Sequence, residues 1–181
     1  MSAGGMLQYL ASSDRRICGR LAEWTPPRVL LRWMVWSTRL GDGWLWAAVG
    51  ALLLLGGPAQ WPRLFACGVS AALANVMVVA LKGRVRRARP ADRPSNCFFA
   101  GLDRNWNFDE FSFPSGHALN AFALATTLGL AVPALWPLLL LLAVSIAASR
   151  VVLGVHFLTD ALAGSLLGAL AGATAFVTVL R

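Results

Sequence analysis

The sequence predicts an all-α fold, a polytopic membrane helix bundle, on three observations. Of its 181 residues, 57% are hydrophobic and only 13% are charged, with a mean hydropathy of +0.63. A soluble domain of this length needs more polar surface. Long stretches carry no Asp, Glu, Lys, Arg or His, and the basic residues gather beside those stretches rather than along them.

The uncharged runs are 43–62, 64–81, 118–149 and 161–180. Crossing the hydrocarbon takes about 20 apolar residues, so the first, second and fourth runs each predict one crossing. The third, 32 residues long, exceeds one helix, and Pro133 and Pro137 place a short turn between two crossings. Five spans result. The stretch from Pro26 to Ser37 is apolar but carries Arg28 and Arg32, so it reads as a helix lying in the interface, with a sixth crossing as the alternative. The chain divides into a basic amphipathic segment, 1–40, and a transmembrane domain, 41–181.

The first 40 residues hold no apolar core followed by a small-residue cleavage site, so no cleaved signal peptide is expected. Cys18, Cys67 and Cys97 have no ligand-like spacing and predict neither a disulfide framework nor a zinc site. The net charge of +8 concentrates in 15–39 and 82–104, flanking the apolar runs. That pattern fits a membrane surface or an anionic substrate and argues against nucleic acid. Gly164, Gly168 and Gly172 recur four apart in the last span. Such a face lets helices approach closely, within the monomer or as a homodimer seam.

The ionisable groups narrow the function. From Phe111 to Leu180 there are four: His117, Arg150, His156 and Asp160, including both histidines of the chain. The single lysine, Lys82, closes the second span. A charge at membrane depth costs about 2.5–3.5 kcal/mol unless it is paired or hydrated, so an intramembrane charge marks a functional site by default. His156 and Asp160 are four apart and share a helix face, where a carboxylate can accept the imidazole N–H. Lys82 and Arg89, two helical turns apart, can converge on one anion. Ser115 and Gly116 open the third span, where backbone N–H groups favour phosphate. In a five-span topology all these residues fall on one side and can meet in one pocket.

Three segments then acquire a common meaning. KGRVRRARP (82–90), PSGH (114–117) and SRVVLGVHFLTD (149–160) resemble the three signature motifs of the type 2 phosphatidic acid phosphatase superfamily, the membrane lipid phosphate phosphatases. The motifs are complete, in order and placed at span ends. The resemblance implies that His156 attacks phosphorus to form a phosphohistidine, with Asp160 holding its tautomer. His117 would protonate the leaving oxygen and then serve as base for the resolving water. Lys82, Arg89 and Arg150, with Ser115 and the Gly116 amide, would hold the phosphoryl oxygens. No cofactor is called for. The carboxylates of Asp92, Asp103, Asp109 and Glu110 are scattered through a loop, unlike a Mg²⁺ site.

Vanadate-dependent haloperoxidases share these motifs, but they are soluble and larger, which the apolar spans oppose. A phosphotransferase, passing phosphoryl to a lipid or glycan, would use the same pocket. A transporter would show inverted repeats and midplane helix breaks, which are not found here. The expected partners are therefore the bilayer and a phospholipid or isoprenoid phosphate, of polyprenyl diphosphate or phosphatidylglycerophosphate type. The expected location is the bacterial inner membrane. Orientation divides two arguments. With five spans, fourteen of the sixteen basic residues lie on the pocket side, against Arg63 and Arg181, which puts the pocket in the cytoplasm. The resemblance points to the outer face.

Overall fold

The computed structural model describes residues 3–90 and 110–181. Among these residues seven α-helices follow one another: α1 Ala3–Glu23, α2 Arg28–Leu40, α3 Trp44–Leu55, α4 Trp61–Val85, α5 Gly116–Ala131, α6 Trp136–Val152 and α7 Leu158–Leu180. Short 3₁₀ turns, Pro58–Gln60 and Pro133–Leu135, lead into α4 and α6. The all-α expectation holds.

Span by span the outcome is mixed. Among the described residues, three helical segments are long and apolar enough to cross a membrane: Pro58–Val85, Pro133–Val152 and Leu158–Leu180. Run 43–62 yields only the 12-residue α3. Gly56, Gly57 with a positive φ of 84° and Pro58 end that helix, and α4 takes over at Trp61. At 1.5 Å per residue α3 is about 18 Å long, short of the hydrocarbon thickness. Run 118–149 does divide at Pro133 into α5 and α6. There Gly129 makes room for the Trp136 indole, since a Cβ on it would lie 1.8 Å from the ring.

Helix α5 is the axis of the bundle. Ten of its 16 residues are buried, because α4, α6 and α7 surround it. One apolar cluster joins Cys67, Leu124, Leu128, Leu139 and Ile146, covered by Trp46, Val49 and Leu53 of α3. A second joins Ala74, Leu119, Ala123 and Ala171. Leucines 162, 166 and 170 of α7 stay exposed, as a lipid-facing side requires.

The small residues of α7 are used inside the chain. A Cβ on Gly164, Gly168 or Gly172 would meet the carbonyl of Ser115, Leu119 or Ala123 at 2.6, 2.2 and 2.3 Å. Of the two readings of this glycine face, packing within the monomer is the one seen: α5 of the same chain occupies it. Thr127 of α5 also donates its hydroxyl to the Gly172 carbonyl at 3.2 Å.

Candidate active site

Four helix ends meet at one end of the bundle. Lys82 lies in the last turn of α4 and Arg150 in the last turn of α6. His117 lies in the first turn of α5 and Asp160 in that of α7. Lys82, Arg150, His156 and Asp160 are all buried. Lys82 is within electrostatic range of Arg89, Arg150 and Asp160. Arg150 and Arg89 act on His156, and Arg150 and Lys82 on His117. Three cations, Lys82, Arg89 and Arg150, gathered at one end of the bundle make an environment suited to an anion.

His156 occupies the turn between α6 and α7. The amides of Val155 and His156 both donate to the Arg150 carbonyl, at 3.1 and 3.0 Å. The ring Nδ1 stands 2.7 Å from the Ser112 carbonyl oxygen. A carbonyl only accepts, so Nδ1 carries the proton and Nε2 keeps its lone pair. Ser112 is itself anchored, its amide to the Arg87 carbonyl at 2.8 Å and its hydroxyl to that of Ala88 at 3.0 Å. Burial, helped by the charges of Arg150 and Arg89, pushes His156 well below the usual imidazole range. The ring is neutral at neutral pH.

Asp160 does not share a helix face with His156, as their spacing predicted, because α7 begins only at Leu158. Its carboxylate folds back instead. Oδ2 accepts the Phe157 amide at 2.9 Å, capping the helix, and lies 3.8 Å from His156 Nδ1. Oδ1 accepts Arg87 Nη1 at 2.7 Å. Arg87 stacks on Phe157, 4.0 Å from the ring centre, and its Nη2 donates to Asp14 of α1 at 2.7 Å. Asp14 also accepts the Thr159 amide at 3.2 Å and the Thr159 hydroxyl.

The route to Arg89 also differs from the two-turn expectation. Arg86, in a left-handed conformation (φ 46°), ends α4. The chain then runs out to a bridge between Ala88 and Phe111, and Arg89 Nη1 donates to the Val155 carbonyl at 3.3 Å. Ser115 contributes differently as well: its amide is committed to the Asp160 carbonyl at 3.1 Å. Its hydroxyl is buried without a hydrogen-bond partner among the described residues, beside the Gly116 amide in the first turn of α5, where helix amides lack an intrahelical acceptor.

Three residues near the site carried no signal that the sequence reading used: Asp42, Thr38 and Asp14. His117 Nε2 is 2.7 Å from Asp42 Oδ1, and Arg150 Nη1 donates to the Thr38 hydroxyl. The Gly-Asp-Gly link at 41–43 and an acid within the basic α1 were the visible hints. Asp92, Cys97, Asp103 and Asp109 lie outside the described residues. Among the described residues no three His, Cys, Asp or Glu side chains stand close enough to share a metal ion.

A helical membrane bundle that collects two imidazoles and several basic side chains at one end is the class that fold and site define. The family model of the PAP2 superfamily matches residues 63–181, and the chain belongs to that superfamily. It is 38% identical over 123 residues to the decaprenylphosphoryl-5-phosphoribose phosphatase of Mycolicibacterium smegmatis, covering 66% of this chain and 62% of that protein. With the undecaprenyl-diphosphatase of Sulfolobus acidocaldarius it shares 34% identity over 136 residues, 74% of this chain and 63% of the relative. The chain thus spans less than two thirds of the length of these curated relatives. The transmembrane PAP2-type phosphatidylglycerolphosphate phosphatase of Bacillus subtilis superposes with a TM-score of 0.71 at 26% identity, over 94% of this chain and 86% of that one. Aquifex aeolicus LpxE has the same fold, with a TM-score of 0.73 at 23% identity over 93% of this chain and 95% of its own.

Proposed function

We propose that the chain is an integral membrane phosphatase acting on a lipid phosphate or diphosphate, of polyprenyl or phosphatidylglycerophosphate type, through a phosphohistidine at His156. One observation carries this reading: the 2.7 Å contact between His156 Nδ1 and the Ser112 carbonyl. It leaves Nε2 as a neutral nucleophile among buried cations. The phosphatase names of the relatives support the same substrate class.

In the first step the Nε2 lone pair forms an N–P bond while the P–O bond to the lipid, or to its remaining phosphate, breaks. His117 gives its proton to the departing oxygen. In the second step water attacks phosphorus and passes a proton to His117. The N–P electron pair returns to His156, and inorganic phosphate leaves. Lys82, Arg89, Arg150, Ser115 Oγ and the Gly116 amide hold the phosphoryl oxygens, where charge grows in both transition states. Asp160 fixes the Phe157 amide next to the nucleophile, and its charge offsets the positive charge that the ring gains.

On this reading the five apolar helices α3 to α7 form the membrane-embedded bundle in a bacterial inner membrane, α3 entering it without spanning the full hydrocarbon thickness by itself, with α2 in the interface. Residues 41–181 carry the chemistry, and 1–40 brace it. An amphiphile would bring its head group in between helices.

The test is phosphate release by purified protein from a panel of polyprenyl diphosphates, phosphatidylglycerophosphate, phosphatidic acid and a soluble sugar phosphate. His156→Ala serves as the blank. Release from at least one lipid is expected, persisting in excess EDTA, because protein cations hold the phosphate. Activity of His156→Ala within about tenfold of wild type would overturn the nucleophile assignment. Complete loss on chelation, restored by Mg²⁺ alone, would overturn the metal-free scheme.

A further inference from the structure

The link between α2 and α3 brings a carboxylate to the proposed proton donor from outside the matched segment 63–181. Asp42 Oδ1 lies 2.7 Å from His117 Nε2, with the two side chains 12% and 23% exposed. Such a contact, mostly shielded from water, is worth more than a surface ion pair. The link is shaped for this approach. A Cβ on Gly41 would lie 2.8 Å from His117 Cδ2 and 2.9 Å from Ile146 Cγ2, so only glycine lets the backbone pass the ring edge. Gly43 turns the chain away into α3 with φ 103°. One turn earlier on α2, Thr38 receives Arg150 Nη1.

We propose that Asp42 is the positioning residue for His117, accepting its Nε2 proton and thereby fixing both the rotation and the tautomer of the ring. This rests on His117 being the proton donor set out above. An imidazolium carries two N–H groups. Asp42 engages the one on Nε2, so the Nδ1 proton goes to the leaving oxygen as the P–O bond breaks. The neutral ring then keeps Nε2–H against Asp42 and presents the Nδ1 lone pair. That lone pair accepts the proton of the attacking water. One carboxylate thus selects the same tautomer for both half-reactions.

Leaving-group dependence separates this role from a structural one. A proton donor matters when the departing oxygen is a basic alkoxide and much less when it is an aryloxide of low basicity. The measurement is kcat/KM, which reports the steps through leaving-group departure, for a lipid alkyl phosphate and for p-nitrophenyl phosphate in the same micelles. His117→Asn is expected to lose about 10²–10⁴-fold with the alkyl phosphate and far less with the aryl phosphate. Asp42→Asn should follow the same pattern at about 10–100-fold, the usual scale for a supporting partner. Asp42→Glu should recover part of the loss, and Asp42→Asn should add little in a His117→Asn background. If Asp42→Asn fails to accumulate, Gly41→Ala, which displaces the link without changing charge, must show the same leaving-group pattern.

Equal losses on both substrates in Asp42→Asn, with His117→Asn still leaving-group dependent, would overturn the inference alone. Equal losses in His117→Asn would overturn the proton-donor reading beneath it.

Discussion

Lys82 is the only lysine among sixteen basic residues, and it is buried in the last turn of α4, while Arg84 two residues on is exposed. A snorkelling anchor would work equally well as arginine. A compact ammonium on a phosphoryl oxygen would not, because the planar guanidinium places its donors elsewhere. Lys82→Arg and Lys82→Ala should therefore both fall well below wild type in phosphate release, Ala by about 10²–10³-fold, and Arg84→Ala should fall little. Equal behaviour of the Lys82 and Arg84 variants would reduce the region to a general basic patch. His156 supports a second expectation, about stability. Its protonation is suppressed in the folded state by burial, whereas an unfolded chain binds that proton near pH 6.5. Below that pH the unfolded state binds more protons, so stability falls as pH falls and rises with pH. Thermal unfolding in detergent between pH 7 and 5 should show this decline, and His156→Gln should flatten it. The two histidines and the lysine were legible as sequence because ionisable groups are rare in an apolar chain. The tautomer of His156 was not, since it depends on a backbone carbonyl 44 residues away.

At the scale of elements, the contact between α5 and α7 positions the site. Helix α7 starts beside His156 and Asp160, and its glycines let α5 come within backbone contact. A methyl group at Gly168 would lie 2.2 Å from the Leu119 carbonyl, and backbone cannot yield as a flexible side chain does. Gly168→Ala should lower the thermal midpoint by an amount corresponding to about 1–3 kcal/mol and reduce activity with it. Leu166→Ala, on the exposed side of the same helix, should change both much less. A Gly168→Ala protein with wild-type stability would mean that the helices sit further apart. The four-residue spacing of glycines was legible as a packing face. Its partner was not, because close approach to a helix of the same chain and to a second copy demand identical residues.

Across the whole molecule, helices far apart in sequence share one ionic chain. Asp14 of α1, Arg87 after α4 and Asp160 of α7 are joined by two contacts of 2.7 Å. Both carboxylates are buried, and Arg87 is 25% exposed. Removing one member leaves a buried group short of a hydrogen bond, at about 1–3 kcal/mol. Asp14→Ala should therefore destabilise modestly. Arg87→Ala should destabilise more, since two buried carboxylates lose their cation, and it should slow phosphate release by loosening Asp160. A double-mutant cycle on the unfolding midpoints checks the coupling. Additive effects would mean that α1 does not brace the site.

Sequence alone determined the properties that follow from composition and local order. Apolar runs bounded by arginines, prolines and glycines specify helices that need a nonpolar solvent, and 82–90, 114–117 and 149–160 are short enough for neighbouring residues to carry a chemical signature. Tertiary structure decided what requires contacts across the chain. Where α3 ends and where α7 begins altered the expected geometry: a glycine-glycine-proline break cut one expected crossing to a 12-residue helix, and a helix start at Leu158 turned Asp160 from a face partner into a cap. The carboxylates of Asp14 and Asp42 resemble any other acids in the first 42 residues. Burial against Arg87 and His117 distinguishes them, and burial arises only when helices remote in sequence pack together and exclude water.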